Sequence, residues 1–133
     1  MHLYDEKDYI MRMIKELVNI LIRLILGKTQ NQTGLPLENK YDLSKDTTDT
    51  LAQMIDSGEV NEAENILLDR ADYTDRESVA RLIFFYEYTG QKTDDFLQQH
   101  NYSREEVLEG LKQLAKHMGY QNVPGLIDED FTD

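Results

Sequence analysis

From Asp5 to Leu26 the apolar side chains recur at helical spacing on more than one face, which constrains the fold more than any other stretch of the chain. Ile10, Met13, Leu17, Ile20 and Leu24 step by three and four, and Met11, Ile14, Val18, Leu21, Ile22 and Ile25 form a second stripe beside them. Arg12, Lys15, Glu16, Asn19 and Arg23 remain as a narrow polar strip. A helix that is apolar nearly all round is either buried on several sides or lies in lipid. Its longest stretch between charges, Leu17 to Ile22, is far short of the roughly 20 residues that a hydrocarbon core requires. The pattern therefore predicts the central helix of one domain, or a helix shared between subunits.

With 133 residues, 40% of them apolar, the chain is about one domain long and can build a core without disulfides or metal. The absence of cysteine excludes thiolate catalysis, cysteine-ligated zinc and iron–sulfur clusters. The formal charge of −12 is unevenly placed. Residues 1–45 carry seven Lys and Arg against six Asp and Glu, and residues 46–133 carry seven against twenty. Such an acidic body repels phosphate backbones and anionic lipid heads, so nucleic-acid binding is not expected. Met1 to Asp8 contains no basic leader and no small-residue cleavage pattern follows it, so a cytoplasmic location is expected.

Residues 28–45 are polar, aperiodic and hold Gly34 and Pro36, which predicts a linker or long surface loop. The expected organisation is an N-terminal helix and linker over 1–45, an acidic helical body over 46–119, and an acidic tail over 120–133. Within the body, Asp46 to Ser57 should bury Leu51, Met54 and Ile55, and Asn61 to Arg70 should bury Ala63, Ile66 and Leu67. Thr74 or Asp75 should cap a helix containing Val79, Leu82, Ile83 and Tyr86, and Thr93 a short one through Gln99. Ser103 with Glu106 three residues on is a capping-box pattern, opening a helix with Val107, Leu108, Leu111, Leu114, Ala115 and Met118 on its apolar face. Leu126, Ile127 and Phe131 could dock the tail on the body. No strand pattern appears, so the fold class is all-α: a long N-terminal helix plus an antiparallel array of about five short helices.

Gly58-Glu59-Val60-Asn61-Glu62-Ala63-Glu64-Asn65-Ile66-Leu67-Leu68 resembles the turn and second helix of a tetratricopeptide repeat, where glycine permits the turn and alanine a close helix approach. Gly90 follows at 32 residues, near that family's period, but Asp95 stands where the small residue belongs. The whole chain also resembles a small uncharacterised family from Firmicutes through Asp8, Tyr9, Ile10, Met11, Arg12, Ile14 and Lys15. That resemblance implies no activity.

Patterns that carry chemistry are weak. His2, His100 and His117 are scattered, and neither His-Glu-x-x-His nor Glu-x-x-His occurs. His117, beside Lys116, suits a helix C-terminus, and His100 reads as a helix-end residue. Asp94-Asp95, Glu105-Glu106 and Asp128-Glu129-Asp130 lack the glycine and final glutamate of a calcium loop and read as solvated surface. No phosphate loop, nucleophile elbow or dinucleotide fingerprint is present. No cofactor is expected. Gly110 interrupts the last helix, which costs about 1 kcal/mol relative to alanine and points to a close helix crossing.

The expected function is non-catalytic: a protein–protein interaction or oligomerisation protein, a homodimer assembled through the N-terminal helix, with a protein or peptide partner as a further possibility. Val18, Leu21, Ile22 and Ile25 are the expected contact on that helix. In Phe84-Phe85-Tyr86-Glu87-Tyr88 four aromatics cannot share one helix face, so Phe85 and Tyr88 are the candidates for a peptide-binding groove. Two alternatives are peripheral membrane attachment through the same first helix, disfavoured by its weakly charged polar strip, and an acidic decoy for a basic nucleic-acid-binding protein.

Overall fold

The computed structural model describes residues 3–26 and 39–120. The described residues are helical with no strand: α1 (Leu3–Leu26), α2 (Lys45–Asp56), α3 (Val60–Asp69), α4 (Arg76–Gly90), α5 (Asp94–Gln99) and α6 (Arg104–His117). The all-α architecture and the helix order agree with the sequence pattern. His2, the tail contacts expected of Leu126, Ile127 and Phe131, and the acidic run Asp128 to Asp130 lie outside the described residues.

Local sequence explains where the helices start. Ser44, Asp75, Thr93 and Ser103 each accept a hydrogen bond from the backbone N–H three residues on, occupying a donor that the first turn leaves free. Asp75, rather than Thr74, is the cap of α4. Between α2 and α3 the chain turns at Gly58, whose φ of +91° suits a residue without a Cβ. The His100 ring occupies the space a side chain would need: a Cβ on Gly58 would lie 2.3 Å from its Cε1. The close of the α2–α3 turn is thereby packed against the end of α5.

The centre of the fold is α4. It packs against α1, α2, α3 and α6, and eleven of its fifteen residues are buried. Its middle, Leu82 to Tyr86, is correspondingly an unbroken apolar run, the pattern of a helix surrounded by protein. On one flank α1 and α6 cover it; on the other lies the α2–α3 hairpin.

Helix α1 does not stand apart. Met13, Ile14, Leu17, Val18, Leu21, Ile22, Ile25 and Leu26 form one broad buried face against α4 and α6, with Leu17, Val18 and Leu21 wholly inaccessible. Ile10 and Ile20 lie at its edges, and only Met11 and Leu24 of the apolar set are left exposed, with Tyr9. The two stripes seen in the sequence are thus one face with ragged margins. The descending segment 39–44 is also tied down: Leu43 is buried, the Asn39 side chain accepts from the Tyr41 and Leu43 amides, and both Lys40 and the Tyr41 hydroxyl donate to Glu87 of α4. Burial first, and then that bond to Glu87, pushes the Tyr41 phenol above its ordinary range.

One charged side chain organises the α4–α5–α6 corner. Arg104, 8% exposed, donates to the carbonyls of Gly90 and Lys92 and pairs with Asp94. Lys7 of α1 reaches the other Asp94 oxygen at 3.2 Å. Arg104, foremost, and then Lys7 hold the Asp94 carboxyl below the usual carboxylate value.

One core expectation needs correction. Ile66 is 43% exposed rather than buried, and Val60 takes the place at the start of α3 that seals it to the core. Ile66 instead lines an open surface cavity with Thr47, Thr50 and Met54 of α2 and Arg81 of α4, where it is only partly covered.

Candidate functional site

The residues expected to form an interaction surface are mostly inside. Val18 and Leu21 have no exposed surface, Ile22 and Ile25 are buried beside them, and Phe85 is enclosed at the middle of α4. The four on α1 face α4 and α6 of the same protomer, and Phe85 is covered by the helices around α4, so none of the five is presented at the surface of this fold. Tyr88 is the one aromatic of the 84–88 cluster outside the core. It stacks on Phe84 with ring centroids 5.4 Å apart, and its hydroxyl donates to Asp56 of α2 at 2.8 Å. Lys92 also pairs with Asp56 and lies 5.0 Å from the Tyr88 ring centroid. Tyr88 thus ties α4 to α2, and Lys92 foremost, then Tyr88, hold the Asp56 carboxyl low.

The histidines occupy helix ends. His100 caps α5 and tilts against Phe96, whereas His117, in the last turn of α6, stacks on Tyr73 at 4.1 Å and has Nδ1 2.9 Å from the Gln113 carbonyl. Among the described residues no three His, Asp or Glu side chains converge as metal ligands.

A different constellation does converge. Between α3, α4 and α6 lies a groove of about 400 Å³, within the range of ligand-sized pockets. Its apolar floor is Leu68, Leu82 and Leu114, and the stacked Tyr73–His117 pair lies along one wall. Glu64 from α3 and Glu106 and Glu109 from α6 bring three carboxylates to it.

Each carboxylate is held by neutral donors. The Tyr86 hydroxyl donates to Glu64 at 2.7 Å, the Ser103 hydroxyl to Glu106 at 3.3 Å, and the Gln113 amide to Glu109 at 3.0 Å. None of the three belongs to any of the ion pairs among the described residues.

The groove owes its shape to Gly110. The Tyr86 ring lies directly over it, so that a Cβ at Gly110 would sit 2.4 Å from Cε1 and Cζ. The glycine that interrupts α6 in sequence is thus the point where α4 and α6 approach through an aromatic ring. Tyr102, 5% exposed, is buried edge-on against Phe85 with ring centroids 6.3 Å apart. Burial above all, then the nearby Glu64 and Tyr86, keeps the Tyr102 phenol well above its ordinary range. Tyr86 is shifted the same way, by burial and by its bond to Glu64.

Residue types alone did not single out this groove. Glu106, Glu109, Gly110, Gln113 and His117 follow helical spacing along one face of α6, which is a readable signal. Glu64, Tyr73 and Tyr86 join them only through the tertiary fold.

A model described as a family of unknown function (DUF6483) matches residues 4–119. The match spans most of the chain, which belongs to that family. No curated protein and no solved structure matches the chain.

Proposed function

We propose that this family member is a non-catalytic interaction protein whose partner is another protein, received in the groove between α3, α4 and α6. The observation that carries this reading is the meeting of Glu64, Glu106 and Glu109 over an apolar floor, none of them in an ion pair seen among the described residues. Carboxylates on a desolvating, aromatic-walled surface favour recognition of a complementary charge, and the −12 net charge adds steering over longer range.

Assembly or membrane attachment through α1 has less in its favour, since the apolar face it would use is spent inside the protomer. No helix among the described residues is long and apolar enough to cross a membrane. The acidic-decoy reading shares the electrostatics of the groove and differs in requiring a broad footprint rather than a seated side chain.

Selection of random peptides displayed on phage against the full chain tests the proposal. Peptides that enrich on the wild type and are lost on Glu106→Gln/Glu109→Gln are expected. Enrichment that is the same on both proteins, or none, contradicts it.

A further inference from the structure

A second groove, of about 380 Å³, lies between α2, α3 and α4. Leu51, Met54, Ile66 and Leu67 supply its apolar surface. Leu51 is buried, Met54 and Leu67 are half-buried and Ile66 is 43% exposed, so that surface is left open at its outer edge. Arg70 and Arg81 stand in the lining against a single carboxylate, Asp46. Arg81 pairs with Glu77 at 3.4 Å, whereas Arg70 is exposed and belongs to none of the ion pairs among the described residues. In a chain of net charge −12 this groove is locally cationic, and it calls for an occupant that is both apolar and anionic.

The chain itself carries such a segment. Residues 121–133 place Leu126, Ile127 and Phe131 around the run Asp128-Glu129-Asp130. They follow Tyr120, just beyond the end of α6, and that end is held beside the α3–α4 connection by the His117–Tyr73 stack at 4.1 Å. Arg70 lies three positions before Tyr73 on the same connection. Six residues of extended chain span about 20 Å, more than the roughly 10–12 Å width of a helix such as α3. The groove of Glu64, Glu106 and Glu109 would repel the same carboxylates. A further groove, with Met11, Arg12, Lys15 and Gly90, lies at the opposite end of α4 from the end of α6, since Arg104 at the start of α6 is the residue that bonds Gly90.

We propose that residues 121–133 dock in the α2–α3–α4 groove of their own chain, with Leu126, Ile127 and Phe131 against Met54, Ile66 and Leu67 and the acidic run beside Arg70 and Arg81. The inference is separate from the α3–α4–α6 groove and stands or falls without it.

Paramagnetic relaxation on the full chain tests it. The protein has no cysteine, so Thr132→Cys takes a single nitroxide label beside Phe131. Broadening of the Thr47, Thr50, Ile66 and Arg70 amides is expected, and it should vanish when the nitroxide is reduced. In a mixture of isotope-labelled wild type with unlabelled nitroxide-bearing chain, the same signals should stay sharp. Leu126→Ser/Ile127→Ser/Phe131→Ser in the labelled chain should abolish the broadening, whereas a tail held only at its root would broaden its surroundings whatever its side chains. Arg70→Glu should weaken the effect, and adding Asp128→Lys/Asp130→Lys to it should restore it. The amide spectrum of each variant reports directly that it is folded.

Broadening that survives the three serines overturns the apolar seating. Broadening as strong in the mixture overturns the intramolecular contact and makes a second copy the occupant. Broadening centred on Met11 and Gln91 or on Glu109 and Gln113, or none above the reduced control, overturns the site. No response to Arg70→Glu, or no rescue by the lysines, overturns the charge pairing.

Discussion

The outer edge of the Tyr86 ring, at Cε1, Cζ and the hydroxyl, closes on the backbone of α6 at Gly110, leaving no room for even one methyl group. In an open helix an alanine at this position would stabilise by about 1 kcal/mol. Here it would drive Cβ into the ring, and overpacking of a closed core costs about 1–3 kcal/mol. Gly110→Ala is therefore expected to lower Tm by several degrees, read by thermal circular dichroism. A Tm that rises would show that the ring moves freely and that the groove is not fixed by this contact.

Leu21 separates a core role for α1 from an assembly role. Deleting a fully buried leucine side chain costs about 2–5 kcal/mol, and Leu21→Ala should lower the urea midpoint accordingly. If the cost arises inside one protomer, the shift is the same at every protein concentration. Stability that depends on concentration would place Leu21 between subunits instead.

Arg104 should prove hard to replace. Arg104→Met removes the donors to the Gly90 and Lys92 carbonyls and the partner of Asp94, and losses of this kind amount to about 2–4 kcal/mol. Lysine offers no fork, so Arg104→Lys should recover less than half of the loss in urea midpoint. Full recovery would mean that charge alone, not the directed bonds, holds the corner.

Ionisation sets the expected edges of stability. Asp56 and Asp94 have folded pKa values below the usual 3.8, so the stability they contribute is present above that value and is lost as pH falls through the lower folded value. Asp56→Asn should flatten the acid limb below about pH 4. On the alkaline side Tyr41, Tyr86 and Tyr102 are raised above the usual 10.0. Their contribution is complete below 10.0 and declines as pH rises past it, because the unfolded chain ionises first. Phenolate absorbance from these tyrosines should therefore appear together with loss of helix, and absorbance developing fully before unfolding would contradict their burial.

Much of this fold is written in local pattern. The caps at Ser103 and Thr93, the turn at Gly58 and the inward set of α6 follow from chain-neighbour chemistry and are legible from residue type and spacing. The anomaly at Gly110 also pointed to a close crossing, which Tyr86 supplies. What spacing could not reveal is which surface covers which. The apolar face of α1 looks the same whether another subunit or α4 and α6 bury it, and Ile66 keeps helical register with Ala63 although it opens onto a surface cavity instead of the core. The groove was hidden for the same reason, since Glu64 and Glu109 are 45 positions apart and meet only because α3 and α6 flank α4.

The most direct measurement of the groove's role is the affinity of a display-selected peptide for the wild type and for Glu106→Gln/Glu109→Gln, with Tm recorded for both. Both side chains are exposed, so the substitutions should leave Tm within a few degrees. At least about tenfold weaker binding at unchanged Tm is predicted. Equal affinity in a variant that folds as well as the wild type would contradict the account.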